Sequence, residues 1–168
     1  MWVIGTLLHR LLWATPTQLA FTRLPEDQRD CFTEWYVVGV LALSIVIYFV
    51  RSVSLALVST YVSVSTLIVM LHIVLLQRVF GERWSPERAL LLFMFNVVQI
   101  VFMFGTWYRL GGYSGTEALL KSILTFATIN YADEMPRVAM AQIATDFVLL
   151  AIFLSHLVGH LGSKNVAK

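Results

Sequence analysis

Charged residues divide the chain into long uncharged windows, and the spacing of those windows predicts helices of membrane-crossing length. The first window runs from Trp35 to Val50 and the second, after Arg51, from Ser52 to Gln77. A third occupies Ala89 to Tyr108, and a fourth, Val138 to Leu161, has Asp146 as its only carboxylate. Each of the last three is long enough to cross about 30 Å of hydrocarbon at about 1.5 Å per residue. The first is shorter and needs residues from its flanks. Only Arg51 separates it from the second, so the pattern leaves open whether residues 35–80 form two helices or one long bent helix. Ser85-Pro86-Glu87 offers an N-cap, a proline at the first helical position and an acidic first turn, which starts the third helix near Ser85. Trp107 and Tyr108 at its far end read as an aromatic anchor at a membrane boundary, and Gly111-Gly112 then breaks the chain. Ahead of these windows Val3, Ile4, Leu7, Leu8, Leu11 and Leu12 recur at helical spacing around Thr6, His9 and Arg10, the pattern of a helix lying in the membrane interface. Arg10 inside that stretch and the lack of a small-residue cleavage site argue against a removed signal peptide.

Composition agrees with a bilayer as the main solvent. Of the 168 residues 58% are hydrophobic and 13% charged, against about 45–50% and about 25% in soluble domains. A net charge of +2 with no basic tract excludes a nucleic-acid surface. Cys31 is the single cysteine, so no internal disulfide or Cys-x-x-Cys pair exists. No Gly-x-Ser-x-Gly, His-Glu-x-x-His or Gly-Lys-Ser/Thr motif is present, and the expectation is that the chain is not an enzyme. With four spans and the N-terminus inside, Arg10, Arg23, Arg29, Arg78, Arg83, Arg88, Lys164 and Lys168 are cytoplasmic, and Arg51, Arg109, Lys121 and Arg137 lie opposite. That asymmetry favours cytoplasmic termini in a plasma or bacterial inner membrane.

Residues 111–137, between the third and fourth windows, have a pattern of their own. Ser114 or Thr116 caps a helix with Glu117 in its first turn, and Ala118 to Phe126 continues it at half the length needed to cross, as in a re-entrant segment. The next stretch, Thr125 to Pro136, turns to β-branched, small and polar residues. It reads Thr-Phe-Ala-Thr-Ile-Asn-Tyr-Ala-Asp-Glu-Met-Pro. Thr125, Thr128, Tyr131, Asp133 and Pro136 are in register with Thr-x-x-Thr-Val-Gly-Tyr-Gly-Asp-x-x-Pro, and Ile129 replaces its valine. Ser122 to Pro136 therefore resembles the pore loop of the tetrameric potassium-channel family, and residues 89–161 follow that family's order of outer helix, pore helix, filter and inner helix.

The resemblance implies an all-α membrane protein with about four transmembrane helices plus a re-entrant pore helix and filter loop. Residues 1–34 form an interfacial helix and linker, 35–80 a peripheral hairpin, 85–161 the pore domain, and 162–168 a short cytoplasmic tail. It implies a homotetramer in lipid whose filter comprises Thr128, Ile129, Asn130, Tyr131, Ala132 and Asp133, with Thr125, Glu117 and Glu134 at the pore helix and mouth. Stacked backbone carbonyls would bind monovalent cations such as K+ or Na+, and no other cofactor is expected. Asn130 and Ala132 stand where the family has glycines. A non-glycine residue held in a left-handed conformation costs about 1–2 kcal/mol, so four copies of Ala132 accumulate roughly 4–8 kcal/mol. The reading is a cation channel of altered or weak potassium selectivity, with a nonconducting channel-like scaffold or accessory subunit as the alternative.

Other polar residues have competing readings. Asp146 and Gln142, one turn apart on one face, are either pore or gating groups or structural ones, with Asp146 bonded to Asn96 or Gln99. His72, His156 and His160 suggest a haem or metal membrane protein, against a plain interfacial face. Ala56, Ser59, Ser63 and Thr66 form a small-residue stripe suited to close helix packing. No span carries arginine at every third position, so a voltage sensor of the usual kind is not expected.

Overall fold

The computed structural model describes residues 26–80, 86–127 and 135–166, with side chains described except at 26–30, 33, 69–80, 86–89 and 156–166. Every regular element among the described residues is an α-helix: α1 Glu26–Val50, α2 Val53–Phe80, α3 Pro86–Leu110, α4 Gly115–Phe126 and α5 Pro136–Val166. The interfacial helix expected near the N-terminus, Ser85 and residues 128–134 lie outside the described residues.

Arg51 divides the first two windows into separate helices. Its φ of 53° is left-handed, which ends α1 and reverses the chain. Ser59 donates to the Ser44 hydroxyl at 3.4 Å, and these two serines flank Arg51 almost symmetrically, so α1 and α2 form an antiparallel hairpin. The stripe of Ala56, Ser59, Ser63 and Thr66 is buried, as its spacing predicts. Gln99 of α3 donates to Ser63 at 2.8 Å and the Trp107 indole to Thr60 at 2.9 Å, which fastens the hairpin to α3.

α3 occupies the centre. Among the described residues two helices contain stretches long and apolar enough to cross a membrane, Leu90–Leu110 and Pro136–Ser155, both of mean hydropathy 1.9. The α3 stretch is 50% buried inside the protein and the α5 stretch 28%, because α3 packs against all four other helices. α3 and α5 are antiparallel: the Met135 sulfur lies against Gly111 at one end, and Phe93 stacks on Phe153 at 4.2 Å toward the other. Polar side chains along the helices turn back onto their own backbones. Thr60, Ser65, Thr66, Asn96, Thr106 and Thr145 each bond the carbonyl four residues earlier, which satisfies them without solvent.

Tyr108 corrects the expectation of a boundary anchor. It is 0% exposed, inside a cluster with Leu67, Ile100, Met103, Phe104, Ala118, Ala139 and Leu149. An aromatic pair at a helix end reads as interfacial from spacing alone, but here α4 folds back over it.

Candidate functional site

The site is built on α4, whose start is set by local chemistry. α3 ends at Leu110, and Gly112 turns the chain with a φ of 111°, a conformation that glycine adopts without steric cost. Ser114 is the N-cap: its hydroxyl accepts from the Glu117 amide at 3.4 Å, and the Glu117 carboxylate accepts from the Ser114 amide at 3.1 Å. This reciprocal capping box satisfies two amides that a helix start leaves unpaired. The bonds with the Ser114 side chain and backbone hold the Glu117 carboxyl below its usual value of 4.5.

A group held low in the folded state stabilises fully above its ordinary value, and that contribution is lost as pH falls through the lowered one. Ser114→Ala is therefore expected to destabilise the protein by about 1 kcal/mol at pH 7, with the difference from wild type shrinking below about pH 4. Thermal unfolding in detergent at both pH values checks this, and an equal difference at both would contradict a carboxylate-dependent cap.

From that start α4 dips into the bundle. Ala118, Ser122 and Thr125 form its buried face, while Leu120 and Ile123 are exposed. The Ser122 hydroxyl donates to the Val101 carbonyl at 2.9 Å, so Ser122 lies beside a residue about 15 Å along α3 from Gly111. Met135, which precedes α5, is back against Gly111. The chain thus enters the bundle along α4 and has regained its starting end when α5 begins. Phe126 and Met135, on either side of the undescribed segment, pack against the same cluster around Tyr108.

Gln142 joins α5 to α4. Its amide donates to the Ser122 carbonyl at 2.8 Å and lies 3.1 Å from the Ser122 hydroxyl. Thr125, near the end of α4, shares a 3.3 Å hydrogen bond with the Tyr108 hydroxyl. Asp146, one turn beyond Gln142, is 9% exposed, and among the described residues neither of its oxygens has a hydrogen-bond partner. The bond expected to Asn96 or Gln99 is not formed, because Asn96 is turned to the Leu92 carbonyl and Gln99 to Ser63.

Of the residues singled out from the sequence, α4 carries Glu117 at its cap and Thr125 on its buried face, and α5 carries Gln142 and Asp146. Thr128, Ile129, Asn130, Tyr131, Ala132, Asp133 and Glu134 lie outside the described residues, as do the side chains of His72, His156 and His160. Among the described residues no three His, Cys, Asp or Glu side chains are grouped to hold a metal. Sequence reasoning gave Ser122 no role beyond opening the pore-loop resemblance, although its place between Ala118 and Thr125 on one helical face was a usable signal. No family model, no curated protein and no solved structure matches this chain.

Proposed function

We propose that this chain is one subunit of a homotetrameric membrane pore that conducts monovalent cations with altered or weak potassium selectivity. The observation that supports this most is the half-length helix α4, which enters the bundle beside Val101 and is followed by a return to Gly111 at Met135. In a bilayer such an excursion leaves backbone groups without helical partners, and these are tolerated only where protein or water covers them. Four copies around a water-filled axis meet that requirement. α1, α2, α3 and α5 are then the four spans, with both termini cytoplasmic.

In this arrangement the C-terminal end of α4 points its negative dipole end toward the axis and favours a cation there. Thr128 to Tyr131 present carbonyl rings to K+ or Na+, with Asp133 and Glu134 at the outer mouth. Ala132 and Asn130 loosen the discrimination that glycines at those positions support. Gln142 and Asp146 act from behind, through α4.

Recordings of the purified protein in planar bilayers under opposed sodium and potassium gradients are expected to reverse between the two equilibrium potentials. The double variant Asn130→Gly with Ala132→Gly is expected to move reversal toward the potassium value. A silent bilayer for both proteins, with a monomer or dimer in detergent, would refute the pore and favour a nonconducting scaffold.

A further inference from the structure

The α1–α2 hairpin meets the pore-side helices through one residue that touches all of the parts concerned. Tyr48, in the last turn of α1, is 4% exposed. Its hydroxyl donates to the carbonyl of Gly115, the first residue of α4. Its own carbonyl is among the last four of α1, which have no partner within the helix. Arg109 fills that need, donating from Nη1 at 2.6 Å.

The ring of Tyr48 is held from several sides. The Arg109 guanidinium lies 5.4 Å from its centre, within cation–π range. Phe102 meets it edge-on at 5.5 Å. Gly105 lies beneath it, where an added Cβ would come within 3.2 Å of the ring. A ring clasped in this way has little freedom, so the position of its hydroxyl follows the position of α1. Gly115 lies in ordinary contact with the same groups, since a Cβ there would stand 3.7 Å from the Tyr48 hydroxyl and 3.9 Å from Arg109 Nε.

We infer that Tyr48 is a positioning residue through which the hairpin sets the placement of α4 and hence the ion path, an inference that rests on the pore reading. The hairpin and α3 are joined at Gln99–Ser63, Trp107–Thr60 and Arg109–Tyr48, and of these joints, among the described residues, Tyr48 is the one with a hydrogen bond that continues to α4. α4 is a rigid rod of about 18 Å. A small rotation at Gly115 is delivered to Thr125 and the residues after it. The hairpin is thereby a control element, and displacement of α1 in the bilayer alters conduction through Tyr48.

Tyr48→Phe isolates the hydroxyl, because it keeps the ring, the Arg109 contact and the fit over Gly105. Two readouts are compared with wild type in the full-length protein: amide hydrogen exchange of residues 118–122, and the sodium-to-potassium permeability ratio in bilayers. Exchange of those amides is expected to rise about fivefold to tenfold, the equivalent of one hydrogen bond, with the oligomeric state unchanged and the permeability ratio shifted at least about twofold. Thr60→Val, which removes the acceptor of Trp107 but does not touch α4, is expected to leave both readouts at wild-type values. Unchanged exchange in Tyr48→Phe overturns the positioning role, and raised exchange with an unchanged permeability ratio overturns its link to the ion path. A wild-type protein that carries no current defeats the pore reading instead, and the exchange comparison still decides whether Tyr48 positions α4.

Discussion

Asp146→Leu is expected to stabilise the protein by about 2 kcal/mol, a gain where replacing a buried residue ordinarily brings a loss. The carboxylate stands within the apolar stretch Pro136–Ser155, on the face of α5 that also buries Ala139, Gln142 and Leu149. Among the described residues neither oxygen has a partner, and an aspartate at the centre of a spanning helix costs about 2.5 kcal/mol or more. Leucine has the same branched skeleton without that cost, and its larger methyl groups offset only part of the gain. Asp146→Asn keeps the shape but leaves an amide to be satisfied, so its gain should be smaller, about 1 kcal/mol. Thermal unfolding of the purified assembly in detergent measures both. Destabilisation by leucine would mean that a donor or cation reaches the carboxylate in the assembly, and would refute the account of it as unpartnered.

That cost also bears on function. A buried group that lowers stability with no visible structural return is retained where it serves the site. Asp146 is within electrostatic reach of Tyr108, whose hydroxyl bonds Thr125 near the end of α4. If the proposed pore reading holds, the variant that stabilises the protein also alters conduction.

The opposite result is expected one turn earlier. Gln142→Ala should destabilise the protein by about 2–4 kcal/mol, combining the loss of its hydrogen bonds to Ser122 with a cavity at a position that is 0% exposed. Gln142→Leu should cost less, because it fills the space and the Ser122 hydroxyl still donates to the Val101 carbonyl. Combining Gln142→Ala with Ser122→Ala tests whether the two act as a unit. A double variant as destabilised as the sum of the singles would show that the bond from Gln142 to the Ser122 hydroxyl contributes nothing.

These two neighbours show where the sequence was legible. Both polar residues were marked as inward-facing, since a polar side chain in an apolar span must find protein or water. Which one would be bonded and which left alone was not legible. The partner of Gln142 lies 20 residues away on α4, and that of Tyr48 lies 67 away. Periodicity along one helix carries no information about either. Membrane helices compound the difficulty, because lipid-facing and protein-facing sides are both apolar and the pattern that distinguishes inside from outside in water is weak. Tyr108 reads as interfacial for this reason: nothing in Trp107-Tyr108 itself tells an interfacial aromatic from one that α4 covers.

The sequence by itself determined the apolar windows, the break at Gly111-Gly112, the start of α3 near Pro86 and a capped start of α4 with Glu117 in its first turn, while the division at Arg51 and the choice of Ser114 over Thr116 came from the structure. Each is a local matter, decided by backbone conformations and hydrogen bonds within a few residues. Only the tertiary structure decided that α3 is central, that α4 dips beside Val101 before the chain regains Gly111 at Met135, and that Tyr48, Gln142 and Asp146 have such different surroundings. Those outcomes depend on how helices distant in sequence pack together, where the approach of a second helix determines whether a polar group is paired or left alone.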